Sequence, residues 1–147
     1  MDSLKELNKE ILACYKCHLR ETASAPVLGC GQVGAKYLLL GEAPGHDEDI
    51  AKVPFVGAAG KRLDKLLALA GISPNDCYLS NVCRCRPPKN KTPAKKEIRA
   101  CLPFLWRELL LVRPTYLITL GATPLSVFSP YPISVMHGTQ FEFEVKE

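Results

Sequence analysis

The chain has 147 residues, of which 47% are hydrophobic and 23% charged, the balance of one soluble globular domain and not of a disordered chain. No apolar run approaches the roughly 18–20 residues of a membrane helix. The start, Met1-Asp2-Ser3-Leu4-Lys5-Glu6, has neither a basic nor an apolar leader region, so a cytoplasmic protein with no membrane partner is expected. The net charge of +4 is uneven: residues 84–99 hold seven cations against Glu97 alone, a local +6 that leaves −2 for the rest. Such a patch fits a polyanion partner such as nucleic acid, and it fits a solvated loop and helix face about equally well.

In chain order, Leu4, Leu7, Ile11 and Leu12 fall at helical spacing and predict a helix over 3–13. Residues 18–36 read as loop. Tyr37-Leu38-Leu39-Leu40, ending at Gly41, reads as a buried strand, followed by a long connection to Gly60. Leu63, Leu66, Leu67 and Ala70 predict a helix over 59–70 with Gly71 just past its end. Residues 77–82 read as a second strand and 84–93 as a loop. Thr92 and Pro93 are expected to cap and open a helix running to about Val112, with Pro103 kinking or breaking it near Cys101. Tyr116–Leu120 reads as a third strand, Thr123-Pro124 as the start of a short helix, and the alternation at 141–145 as a strand with one wet face. Alternating strands and helices imply an α/β domain with a mainly parallel sheet, whose ligands sit at the carboxyl ends of the strands.

Seven cysteines are many for a reducing compartment, where metal or cluster ligation is a commoner use than disulfides. Cys14 and Cys17 form a C-x-x-C pair that Cys85 and Cys101 could complete to four thiolates, suiting zinc or an iron–sulfur cluster. The plainer reading is inert buried thiols, which is also the reading for Cys30, Cys77 and Cys83. Glu42, in the turn Gly41-Glu42-Ala43-Pro44-Gly45, could position a water, or be a simple surface acid. Phe55 could stack on a base, or fill a core. Asn81 could bond a base edge, or end a strand. His18, His46 and His137 form no metal or triad spacing.

Together these residues make a more specific pattern. Gly41-Glu42-Ala43-Pro44-Gly45 with Glu48-Asp49, then Pro54-Phe55-Val56-Gly57 with Ala59-Gly60, then Asn81-Val82-x-x-Cys85-Arg86-Pro87-Pro88, and Cys101-x-Pro103-Phe104-Leu105, resemble the family-four, iron–sulfur uracil-DNA glycosylases over about residues 4–143. The resemblance implies a single domain over 1–147, a three-layer α/β/α sandwich around a parallel sheet. It implies a structural [4Fe–4S] cluster on Cys14, Cys17, Cys85 and Cys101, a site that zinc could take or that could stand empty. It implies hydrolysis of the uracil–deoxyribose bond in DNA by a monomer. Phe55 would stack on the flipped uracil, Asn81 would bond its polar edge, and Glu42 would assist water attack. Backbone groups of Gly41, Ala43 and Gly45 would contact the base. Arg84, Arg86, Lys89 and Lys91 would meet DNA phosphates.

The family also carries a later His-Pro motif after a fourth strand, which this chain does not reach. The domain is therefore expected to be incomplete at its carboxyl end, with weak DNA binding, poor excision and an unpaired sheet edge prone to association. Two other readings use the same cysteines: a non-catalytic nucleic-acid-binding module with a four-cysteine zinc site, and an iron–sulfur redox or sensor protein. Neither needs Glu42, Phe55 or Asn81.

Overall fold

The alternation of Leu38, Leu39 and Leu40 sends successive side chains to opposite faces of one strand, and both faces are covered. In the computed structural model, which describes residues 2–146, this strand is β1 (Tyr37–Gly41). It lies between β2 (Cys77–Asn81) and β3 (Tyr116–Thr119), parallel to both, in the order β2-β1-β3. On one face Leu39 packs with Leu63 and Leu67 of helix α4 (Ala58–Leu69). On the other, Leu38 and Leu40 pack with Leu105, Leu109 and Val112 of helix α5 (Lys95–Val112). The result is the expected helix–sheet–helix layering, with three strands among the described residues.

The amino-terminal helix α1 (Leu4–Leu12) buries Leu7 and Ile11 against Phe104 of α5. Helix α4 ends as its glycine requires: Gly71 has φ +69, its N–H reaches Ala68 O at 3.1 Å, and the Ile72 N–H reaches Leu67 O at 2.9 Å.

Several elements depart from the sequence-based expectation. A four-residue helix α2 (Leu19–Thr22) interrupts the expected loop, and α3 (His46–Ala51) interrupts the connection from Gly41 to Gly60. Both are too short to show a helical period. Helix α5 opens at Ala94, not at Thr92-Pro93, because the Glu97 carboxylate folds back to accept the Ala94 N–H at 2.7 Å. It runs through Pro103 without a break. Pro103 lies on the exposed side, where water can serve the Arg99 carbonyl that proline leaves without a donor. Helix α6 (Ala122–Phe128) starts where Thr123-Pro124 predicts, and a further short helix, α7 (Ile133–Met136), was not expected. Residues 141–145 form no strand and join no sheet. Phe143 stacks on Trp106 at 6.2 Å and meets Phe128 edge-on at 4.7 Å, so the alternation there reflects packing on α5 and α6 and not strand pairing.

Candidate active site

The paired ends of β1 and β2 set Gly41 opposite Asn81, at the carboxyl edge where a parallel sheet receives ligands. A cavity of about 270 Å³ opens there, walled by Ala43, Gly45, Glu48, Phe55, Gly57 and Asn81 among others. That volume suits a ligand the size of a nucleobase better than a drug-sized one. Gly41 is part of the same convergence: a Cβ on it would lie 2.5 Å from Asn81 Oδ1 and 2.8 Å from Phe55 Cζ. The five residues expected to hold a base, Gly41, Ala43, Gly45, Phe55 and Asn81, are thus brought to one place.

Phe55 is held there under strain. Its φ is +57, a conformation costing a side-chain-bearing residue about 1 kcal/mol or more. Its carbonyl presses on α4, where a Cβ at Gly60 would come within 1.9 Å of Phe55 O, so only glycine fits. The clamp that holds this loop is Glu48. One carboxylate oxygen accepts the Gly45 N–H at 3.0 Å, and the other accepts Val56 N–H at 3.1 Å and Gly57 N–H at 2.7 Å. Sequence reasoning quoted Glu48 within a motif but gave it no role.

Glu42 stands to one side. It is not a wall of the cavity but lies toward β3, where its carboxylate accepts a hydrogen bond from Thr123 Oγ1 at 2.6 Å. Thr123 is a second residue that sequence reasoning missed.

The four residues expected on DNA phosphates divide. Lys89 and Lys91 are exposed. Arg86 is half-buried, donating from Nε to Asn90 Oδ1 at 2.8 Å on the cavity rim, with His46 Nδ1 3.4 Å from its guanidinium. Arg84 contradicts the expectation: it is 2% exposed and makes a two-pronged ion pair with Glu108 at 2.8 and 2.9 Å. It has no surface to offer a phosphate. Burial opposes its charge, but Glu108 outweighs that and raises the guanidinium above its ordinary range.

The second candidate centre is the cysteine set. Cys14 and Cys17 follow α1, Cys85 follows β2, and Cys101 lies on α5, yet all four line one cavity together with Lys16, Arg20 and Arg84. The Nε atoms of Arg20 and Arg84 are buried there without a hydrogen-bond partner. Cationic N–H donors around four thiols suit an anionic thiolate cluster, whose sulfurs accept such bonds. Among the described residues no three His, Cys, Asp or Glu side chains converge on a single metal-ion position. Four thiols on one cavity are a donor set that a thiolate-bound cluster or a zinc ion could use. The residues present therefore fit the cluster. Cys83 is buried, and the interaction between the Cys83 and Cys101 thiols, aided by burial, pushes Cys83 up, while the same interaction holds Cys101 down at about 7 against the opposing effect of its burial. Burial pushes Cys85 up to about 12 and raises Cys17 as well. Cys77 is buried in β2 and Cys30 is exposed. Among the described residues no helix is long and apolar enough to cross a membrane.

Comparison with known proteins agrees with this geometry. Over residues 28–144 the chain matches the family described as the uracil DNA glycosylase superfamily. It is 44% identical over 121 residues to a type-4 uracil-DNA glycosylase of Archaeoglobus fulgidus, covering 82% of this chain and 61% of that protein. It is 38% identical over 122 residues to the type-4 enzyme of Thermotoga maritima, covering 83% of this chain and 64% of that one. A type-5 uracil-DNA glycosylase of Thermus thermophilus is 40% identical over 115 residues, with 68% of this chain and 52% of the relative covered. The chain thus spans less than two thirds of the length of each of these relatives. With the matched region taking in Gly41, Phe55, Asn81 and Cys101, the chain belongs to the uracil DNA glycosylase superfamily.

Proposed function

We propose that this protein hydrolyses the bond between uracil and deoxyribose in DNA, with a [4Fe–4S] cluster as a structural element. The observation that carries this reading is the convergence of Gly41, Phe55 and Asn81 at the mouth of a base-sized cavity on the carboxyl edge of the sheet. A base within a duplex must leave the stack to be reached. Phe55 takes the face of the extruded base, a contact worth about 1–3 kcal/mol that any base can make. Discrimination falls to Asn81, whose amide offers both a donor and an acceptor to the polar edge of uracil. Its Oδ1 sits against Gly41, where no side chain intervenes. Backbone N–H groups of the 41–45 turn, other than that of Gly45, which Glu48 takes, stabilise charge on the departing base, and the Glu42 carboxylate serves the electron-poor sugar and the attacking water.

Cys14, Cys17, Cys85 and Cys101 would hold the cluster, which ties the amino-terminal arm to the segment carrying Lys89 and Lys91; no step of the hydrolysis passes through it. Those two lysines and the exposed Lys95, Lys96 and Arg99 supply sequence-independent affinity for the phosphate backbone. The test is alkaline cleavage of a labelled oligonucleotide carrying a single uracil, after incubation with the protein. Strand scission at the uracil and none at a matched cytosine or thymine is expected, with loss of scission in Asn81→Ala. Binding of the oligonucleotide with no abasic product under any condition would instead favour a non-catalytic binding module.

A further inference from the structure

Glu42 is tethered from two directions, and only one of them is explained by the sheet. Its main-chain carbonyl accepts the Cys83 N–H at 3.0 Å, on the β2 side. Its side chain reaches the other way, to the residues that follow β3, where Thr123 Oγ1 donates to Oε2 at 2.6 Å. The strand order β2-β1-β3 places this bond across the crevice between β1 and β3. There the connections from the two strands diverge, which is where open parallel sheets bind ligands. Thr123 is itself firmly placed. It is 9% exposed, it sits in the first turn of α6 beside the buried Pro124 and Leu125, and its carbonyl accepts Ser126 Oγ at 2.6 Å.

We infer that Thr123 is the positioning residue for the Glu42 carboxylate: its hydroxyl fixes Oε2 and so leaves Oε1 as the oxygen presented to water and sugar. The inference rests on the reading of Glu42 as a participant in uracil removal. A glutamate has three side-chain torsions, and a carboxylate bonded at neither oxygen samples many orientations. One short bond from a buried, rigid donor selects among them before substrate arrives. No other side-chain or main-chain donor reaches the Glu42 carboxylate among the described residues. The threonine hydroxyl has one proton to give, and here it gives it to the carboxylate.

The test combines Thr123→Val, Thr123→Ser and Glu42→Gln, each first matched to the parent by thermal unfolding. On uracil-containing single-stranded DNA, Thr123→Val should lower kcat about tenfold, a fraction of the roughly 10²-fold that misplacing a group by about 1 Å can cost. KM should stay unchanged, because Phe55 and Asn81 are untouched. Thr123→Ser, which keeps the hydroxyl, should stay within about twofold of the parent. In the Glu42→Gln background Thr123→Val should cause no further loss. A parent-like rate for Thr123→Val alongside an impaired Glu42→Gln overturns the inference alone, as does an equal loss from Thr123→Val in both backgrounds. A parent-like rate for Glu42→Gln overturns instead the role given to Glu42. A readout free of catalysis is the 13C carboxyl resonance of Glu42, assigned by its loss in Glu42→Gln. It should move in Thr123→Val and hold in Thr123→Ser. A resonance unmoved in Thr123→Val overturns the inference whatever the excision rate.

Discussion

Arg107 and Glu108 are neighbours on α5 and anchor two separate ion-pair clusters, one exposed and one buried. Glu108 faces inward and is fully buried, taking both prongs of Arg84, the Ser80 hydroxyl at 2.5 Å and the Tyr78 hydroxyl at 3.1 Å. Arg107 faces outward and reaches Asp2 and Glu10, its side chain 30% exposed and theirs 40% and 56%. The inner cluster ties the end of β2, and so the neighbourhood of Asn81 and Cys85, to the helix that carries Cys101. The outer one ties the amino-terminal arm to the same helix. Buried charges are costly to desolvate and costlier to orphan, whereas exposed pairs are weak and screened by salt. The same helix thus uses ion pairs once as an obligate joint and once as an adjustable latch.

The largest effect should come from breaking the inner joint. Glu108→Ala leaves the Arg84 charge and two hydroxyls buried without partners and should cost about 3–5 kcal/mol in denaturant unfolding. The paired replacement Arg84→Met with Glu108→Leu should recover the part of that loss due to the orphaned charge, since a packed apolar pair escapes the desolvation cost, while the Ser80 and Tyr78 hydroxyls still lack their acceptor. If the double replacement is as unstable as Glu108→Ala, the cost lies in packing and in the two orphaned hydroxyls and not in the orphaned charge. Tyr78→Phe should cost about 1 kcal/mol, the worth of one buried hydrogen bond.

Burial and the Glu108 charge raise the Tyr78 phenol above its ordinary value of 10.0, so it stays neutral in the fold. Its contribution is fully present below pH 10 and is lost as pH rises through the folded value. Tyr78→Phe should therefore flatten the alkaline limb of stability against pH.

At the outer latch, Arg107→Ala should have a smaller effect that vanishes at about 0.5 M salt. The Arg107 guanidinium holds the Asp2 and Glu10 carboxyls below their ordinary values of 3.8 and 4.5. Their contribution is present above that range and fades as pH falls through the lowered values. The acid limbs of parent and Arg107→Ala should accordingly converge once pH has fallen below the lowered values. A difference that persists in high salt and at low pH would mean that Arg107 acts through packing of its stem.

The contrast also marks what the sequence could show. Strands β1 and β2 and helices α1 and α4 were legible because each buries apolar residues in a run or at a helical spacing, such as Leu38, Leu39 and Leu40; α6 was legible from Thr123-Pro124 at its start, and β3 as a short apolar run although it is only half-buried. Helices α3 and α7 have too few residues for a period, and the alternation at 141–145 was genuine but served Trp106 and Phe128 instead of a sheet. In the candidate site, Gly41, Phe55 and Asn81 were legible as motifs. Glu48 and Thr123 were not, because what they do depends on partners that only the fold brings near; Thr123 and Glu42 stand 81 residues apart. Arg84 looked like one cation in a basic run because charge counts carry no burial. A signal was present in its partner: Glu108 falls within the stripe formed by Phe104, Leu105, Leu109 and Val112, and an acid on an apolar stripe calls for an inward cation.

The packing of α1 has a consequence for how the chain is made. Leu7 and Ile11 leave the ribosome well before the residue that covers them, Phe104, which follows about a hundred positions later. At ordinary rates of about 5–20 residues per second, the amphipathic first helix waits roughly 5–20 s with its apolar face uncovered. The central strand β1 waits a somewhat shorter time for β3, since Tyr116 follows its partner Tyr37 more closely in the chain than Phe104 follows Ile11. Synthesis therefore passes through an interval in which α1 is available to chaperones, and closure onto α5 is a late event, set by translation and not by local folding.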